Sequence, residues 1–263
     1  MATSPQSRAG RGHNFAVVYG ELREAILHGQ LEPGAITTQM ALAEQFSVGR
    51  TPLREAMRVL QMDGLVVNEP NRRVQITPLT AVDAIELYSA RILMESMAIL
   101  QTIPTATSRD DAEMLGYLAQ MDHYGEGRDW AALQEPHRSF HARLWSGGGA
   151  RMIGMIEELY DHAERYRLAA SPSREFWMKR QTEHRAITAA AGERDAERTA
   201  ELVVEHYTRT LVYICADLDP DADLGRLRGT LQRVAPVVED VLDKELRKQR
   251  RSKGGSNRKA GSR

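Results

Sequence analysis

The chain predicts a mostly α-helical protein: an N-terminal winged helix-turn-helix of three helices and a two-stranded wing, then an all-α bundle of six or seven helices. Three observations carry that expectation. At 263 residues the chain is long enough for two domains. Its first eighty residues alternate short apolar helical stripes with two β-type runs, and after Thr77-Pro78 the pattern turns almost purely helical.

In the N-terminal part, Val18, Leu22, Ala25 and Ile26 form the apolar stripe of a first helix that stops at Gly29. The connection GQLEPGAI follows, with Pro33 and Gly34 as turn residues. A second short helix covers roughly 39–46, with Leu42, Ala43 and Phe46 facing inward. The stretch SVGRTPLREAMRVLQMDGLV then reads as a DNA-recognition helix with its stop signal attached. Thr51 suits the N-cap, and Pro52 the first helical position, where a missing N–H costs nothing. Leu53, Ala56, Met57 and Leu60 face a core, while Arg54 and Arg58 share the other face and Arg50 precedes the cap. Asp63-Gly64 ends the helix, glycine being suited to the left-handed position after it. An amphipathic helix with arginines near its N-terminus suits a major groove. Taken alone, it leaves a solvated helix with scattered arginines as the lesser alternative. Its context is two β-type runs, Leu65-Val66-Val67 and Val74-Gln75-Ile76, flanking the polar segment 68–73 as a wing.

The runs LREAILHGQLEPG and LAEQFSVGRTPLREAMRVLQMDGLV, with the wing after them, resemble the GntR family of bacterial transcription regulators over about 15–78. The resemblance implies that Arg50, Thr51 and Arg54 contact DNA and that the wing tip enters the minor groove. Arg58, Arg72 and Arg73 join the candidate DNA-binding set. Two positions depart from the family. The wing's usual Arg-Gly is Arg72-Arg73 here, and Met40 stands where relatives such as the fatty-acid regulators carry a further DNA-contacting arginine.

Charge alone does not announce a nucleic-acid partner. The formal net charge is −1, and the six arginines of the DNA-binding segment face seven acidic residues. DNA affinity therefore rests on where the arginines point. Basic residues gather instead after Asp243, in KELRKQRRSKGGSNRKAGSR, nine against one acidic. That end is expected to be a disordered tail, open to nonspecific phosphate contact or to no specific role. Cys215 is the only cysteine, which excludes an intrachain disulfide framework and a cysteine zinc cluster. With no apolar leader or membrane-length run, a cytoplasmic protein with no membrane partner is expected.

The expected organisation is a disordered 1–13, the winged helix over 14–78, a helical effector-binding and dimerisation domain over 79–217, a helical extension over 218–250 and a basic tail over 251–263. In the bundle a helix begins near Thr80, with Leu87, Leu93, Met94 and Met97 facing inward. Further helices run about 107–124, 129–146, 150–169, 173–191 and 194–217, with a break at Gly125-Glu126-Gly127 among others. A seventh covers about 222–250, kinked at Pro236.

Four of the eight histidines fall where they could converge. His137 and His141, at i and i+4, project from one helix face, as chelation from a helix requires. His184 and His206 lie on two later helices, on faces that also carry apolar residues. Each alone reads first as a surface or satisfied core histidine rather than as a ligand. HRSFHARLW, EHRAITAAAGERDAE and VVEHYTRT resemble the FCD effector-binding bundle that often follows a GntR winged helix, over roughly 80–217. The resemblance implies a metal site of Asp-x-x-x-His plus two later histidines, matched by His141, His184 and His206. The aspartate position is His137 here. An all-imidazole set favours a borderline divalent ion, Zn²⁺ or Ni²⁺, over Mn²⁺ or Mg²⁺; loss of the metal is the open alternative. YSARILMESMAI resembles the same domain's first-helix signature, which makes Arg91 the anchor of an effector carboxylate, as a guanidinium forks two hydrogen bonds onto one. Tyr88 is a second effector candidate, and Glu95 orients Arg91 or forms a surface pair.

The expected function is a sequence-specific regulator, a repressor, that binds a palindromic double-stranded operator as a homodimer and responds to a small carboxylate. A regulator for which the metal itself is the signal is the alternative. A metal-dependent helical enzyme with a DNA-binding appendage is disfavoured: Glu135 precedes Pro136, and no carboxylate sits at helical spacing beside the histidine pair as a general base.

Overall fold

The computed structural model describes residues 14–69, 73–170 and 174–248, which form two compact units, Met1–Leu79 and Thr80–Arg263. Unit 1 contains α1 (Phe15–Leu27), β1 (Ile36–Thr38), α2 (Gln39–Gln45), α3 (Arg50–Met62), β2 (Val66–Glu69) and β3 (Arg73–Ile76). Its core joins Val18, Leu22 and Ile26 of α1, Leu42 of α2, the predicted Leu53, Ala56, Met57 and Leu60 of α3, and Val74 and Ile76 of β3. Tyr19 donates to Asp63 Oδ2 at 2.8 Å and ties α1 to the end of α3.

Two readings of this unit need correction. The wing has a third strand: β1 pairs antiparallel with β3 (Ile36↔Gln75), and β3 with β2 (Val66↔Ile76). β1 escaped notice because three residues behind a Pro-Gly turn carry no alternation to detect. The N-cap of α3 is Gly49, not Thr51. Val48 is buried in the core, and its N–H bonds the Ala43 carbonyl at 2.9 Å, which brings the chain into helical conformation early. Arg50 and Thr51 thereby become the first two helical residues, and Pro52 the third, still among the four whose N–H has no helical partner. The other end follows the expectation. Gly64 takes φ +70°, the Leu65 N–H bonds the Leu60 carbonyl at 2.9 Å, and the Gly64 N–H bonds the Gln61 carbonyl at 3.1 Å. That pair of bonds is a Schellman stop.

Unit 2 contains α4 (Ala81–Thr102), α5 (Ser108–Gly127), α6 (Trp130–Trp145), α7 (Ala150–Ala169), α8 (Arg174–Gly192), α9 (Ala196–Leu218) and α10 (Gly225–Val234), with a helical stretch α11 over 239–248. α4 is central and packs on α9, α7, α10 and α6; α8 lies against α9 and α5. Thr80 caps α4 by accepting from the Asp83 N–H at 3.2 Å. The tail beyond residue 248, residues 1–13 and Arg72 lie outside the described residues.

Three expectations change here. Leu93 and Met97 are not core residues: both are about half exposed, on a face of α4 that its neighbouring helices leave open. Periodicity marks an apolar stripe without saying what covers it. α5 runs through the expected break at Gly125, because that glycine is there for packing: a Cβ on it would lie 2.0 Å from Trp177 Nε1. Pro236 does not kink one long helix. It opens a 3-10 turn, Pro236–Val238, that separates α10 from α11.

Candidate functional site

On unit 1, Arg50, Thr51, Arg54 and Arg58 are all exposed on α3, opposite its buried stripe, and Arg73 is exposed at the start of β3. The first turn of α3 also presents N–H groups without helical partners, a favourable place for phosphate.

On unit 2, the four histidines come from three helices. In α6 the buried stripe Leu133, Pro136, His137, Phe140, His141 and Leu144 carries the i, i+4 pair inward. α8 contributes His184 and α9 contributes His206. None of the four is more than 7 % exposed, and one ligand atom from each lies within 4.8 Å of the others. Ring centroids stand 4.7 Å apart for both His137–His141 and His184–His206.

Every one of the four rings is held from outside through Nδ1. His137 Nδ1 meets the Tyr160 hydroxyl at 2.8 Å, and His184 Nδ1 meets Gln181 Oε1 at 3.1 Å. His206 Nδ1 meets Glu183 Oε2 at 2.9 Å, and His141 Nδ1 meets the Tyr207 hydroxyl at 3.2 Å. Three tautomers follow from the partners. Gln181 donates its Nε2 to the Leu118 carbonyl at 3.2 Å, so its oxygen faces His184 and accepts. Glu183 accepts as a carboxylate. The Tyr207 hydroxyl donates its hydrogen bond to Glu95 Oε2 at 2.5 Å, so it accepts from His141. Each of these imidazoles carries its proton on Nδ1 and turns a lone pair on Nε2 inward. His184 Nε2 is buried with no hydrogen-bond partner.

Electrostatics favour the same state. Burial pushes all four histidines well below their ordinary pKa, and neighbouring charge adds to it, Arg167 at His137 and Arg180 at His206. Burial likewise raises Tyr160 and Tyr207, so both keep their protons. Four neutral imidazoles, three of them with a lone pair turned inward and one of these nitrogens orphaned, suit the donor set of a Zn²⁺- or Ni²⁺-type ion. The residues present fit a divalent metal.

The same cavity, about 40 Å³, is lined by Tyr88, Arg91, Arg167 and Arg180. Arg91 is buried and gives Nε to Glu95 Oε1 at 2.8 Å, with its guanidinium 4.2 Å from the Tyr207 ring centroid. Burial opposes its charge, but Glu95 and the surrounding tyrosines hold its pKa above the ordinary value. Glu95 is therefore the partner that orients Arg91, not half of a surface pair. Arg167 and Arg180 bond Glu164 (2.7 Å) and Glu183 (3.0 Å) in the same manner. Glu135 is exposed and accepts from Ser139 at 2.9 Å, away from the histidines.

Sequence reasoning missed Tyr160, Gln181, Glu183, Tyr207, Arg167 and Arg180. Glu183 and Tyr207 sit next to histidines in the chain, but the pairing is crossed: Glu183, beside His184, holds His206, and Tyr207, beside His206, holds His141.

Comparison with known proteins agrees in both units. Residues 15–76 match the family described as bacterial regulatory proteins, gntR family, and residues 86–209 match the FCD domain. An uncharacterized HTH-type transcriptional regulator from Agrobacterium vitis is 35% identical over 154 residues, covering 55% of this chain and 84% of that protein. The HTH-type transcriptional repressor GlaR of Escherichia coli is 26% identical over 206 residues, covering 72% and 90%. The solved structure of E. coli McbR/YncC superimposes with a TM-score of 0.68 at 20% identity, over 77% of this chain and 97% of that one, a likeness of fold. Among the described residues no helix is long and apolar enough to cross a membrane. A winged helix with exposed arginines, joined to this helical domain, thus belongs to the GntR family of bacterial regulatory proteins with an FCD domain: the chain is a DNA-binding transcription regulator and not an enzyme.

Proposed function

We propose that this regulator is a repressor whose operator affinity is set by a small carboxylate bound in the histidine-lined cavity of unit 2. The observation that carries this reading is the convergence of four buried, neutral imidazoles with three arginines on one small cavity. His137, His141, His184 and His206 would hold a divalent ion, which when bound offers a carboxylate a positive centre. Glu95 occupies Nε of Arg91 and leaves the terminal nitrogens to fork onto the same carboxylate, beside Tyr88. A cavity this small favours a compact acid. DNA would be read by Arg50, Thr51, Arg54 and Arg58 of α3, with Arg73 and Arg72 at the wing.

A second copy of the chain fits the exposed stripe Leu93, Met97 and Leu100, at i, i+4 and i+7 on α4. A homodimer of this kind would set two winged helices on a palindrome. The route from the cavity to the start of unit 2 is α7. Tyr160, Glu164 and Arg167 of α7 line the cavity. Tyr166 of the same helix donates to Asp83 Oδ2 at 2.5 Å and accepts the Thr80 N–H at 3.3 Å, at the first turn of α4. A ligand that binds two arrangements of α7 unequally would shift their populations, and operator affinity with them.

The test is a gel-shift series on the full chain, stripped with EDTA, against its own promoter region. The expected result is a salt-sensitive, sequence-selective shift that changes about five-fold or more with one of a panel of small mono- and dicarboxylates, once Zn²⁺ is restored. His184→Ala should abolish the response and keep the shift. Absence of a selective shift refutes operator binding; a several-fold change with Zn²⁺ alone makes the metal the signal.

A further inference from the structure

The four rings are not held alike. His137 and His184 end on neutral groups, the Tyr160 hydroxyl and the Gln181 amide. The other two end on carboxylates. Glu183 accepts directly from His206 Nδ1, and Glu95 is reached from His141 through the Tyr207 hydroxyl, in two short steps of 3.2 Å and 2.5 Å. The His206–Glu183 contact is part-buried and the others are buried, an environment in which hydrogen-bond chains polarise one another more strongly than in water. A carboxylate on the outer nitrogen draws the N–H proton outward and makes the inner nitrogen a stronger donor to a cation. An all-imidazole shell has no anion of its own, and this one lies among Arg91, Arg167 and Arg180.

We propose that Glu183, acting through His206, and Glu95, acting through Tyr207 and His141, are positioning residues that supply from outside the ligand shell the negative charge it lacks, and so set the site's affinity for a divalent ion. The relays run crosswise between helices: Glu183 of α8 serves the α9 histidine, and Tyr207 of α9 serves the α6 histidine. Metal affinity thereby depends on the packing of α6, α8, α9 and α4 together. The inference rests on the metal-site reading of the four histidines and adds which outer groups control it.

Glu183 also pairs with Arg180 (3.0 Å) and Arg209 (3.2 Å) through its other oxygen, a structural role that must be separated. The experiment titrates Zn²⁺ into the EDTA-stripped full chain against a chromogenic chelator and records the Co²⁺ absorption spectrum. Glu183→Gln, which keeps the shape and removes the charge, should lower Zn²⁺ affinity about 10- to 100-fold and shift the Co²⁺ band. Arg209→Gln, which breaks an ion pair of Glu183 but leaves Oε2 on His206, should leave both within about three-fold of wild type, the scatter expected of a structural neighbour. Tyr207→Phe, which cuts the second relay, should repeat the loss and carries the test if Glu183→Gln fails to fold. Equal affinity in Glu183→Gln and wild type, or equal losses in Glu183→Gln and Arg209→Gln, overturns the proposal. A wild-type chain that binds no Zn²⁺ overturns the metal site itself, and the two failures are distinct.

Discussion

The packing of Gly125 under Trp177 gives a prediction in which two effects oppose each other and the structure decides between them. Replacing a helical glycine with alanine ordinarily stabilises by about 0.5–1 kcal/mol, because alanine loses less backbone freedom on folding. At Gly125, however, the added Cβ would stand 2.0, 2.4 and 2.8 Å from Nε1, Cε2 and Cζ2 of Trp177. Comfortable carbon contacts begin near 3.5 Å, so the ring must retreat by about 1.5 Å. It has little room, being buried, edge-on to Trp130 at 6.1 Å and 6.4 Å from His184. Overpacking of this kind costs about 1–3 kcal/mol, and after the gain in helix propensity a net destabilisation of about 1–2 kcal/mol remains. For a unit of this size that lowers Tm by about 2–8 °C. Gly116, on the same helix, has nothing within 4 Å of its ideal Cβ. Gly116→Ala should therefore raise stability by up to about 1 kcal/mol. Thermal melts followed by circular dichroism check both. A Gly125→Ala protein that melts at or above wild type, or two variants that move in the same direction, would refute the reasoning.

Acid should weaken the metal-free protein more than its carboxylates alone would. Folding depresses the pKa of all four histidines, so below their unfolded value near 6.5 the unfolded chain takes up protons that the folded one refuses. Each such histidine removes about 1.4 kcal/mol of stability per pH unit below 6.5, until the folded site itself protonates, and nothing above it. Urea midpoints at pH 7.5 and 5.5 for wild type and His184→Ala should show a steeper loss in wild type; parallel losses would contradict the assignment. On the DNA side, Arg54→Ala should weaken binding to a selected operator by about 1–3 kcal/mol per half-site and flatten sequence preference, whereas Arg73→Ala should act mainly through the salt dependence. Quantitative gel shifts at two salt concentrations separate these outcomes.

What could be read in the sequence divides along physical lines. The cores of the first three helices follow from 3.6-residue spacing, and the stop at Asp63-Gly64 from a glycine's tolerance of positive φ; both survive intact. The start of α3 does not, because the buried Val48 outweighs the capping preference of Thr51, and burial two residues away is invisible to a local rule. Leu93 and Met97 show the same limit from the other side, as an apolar stripe that its own domain leaves uncovered. His137 and His141 were legible from their spacing and, with His184 and His206, from resemblance. The groups that fix their tautomers were not, since Tyr160, Gln181, Glu183 and Tyr207 arrive from three helices and the last two serve a histidine other than their neighbour in the chain.

The burial of the four histidines has a consequence in time. An ion held as proposed, among ligands that solvent scarcely touches, would come and go at the frequency of local opening of the helices, so stripping and reloading the folded chain would be slow. A small acid entering the same cavity would wait on the same openings.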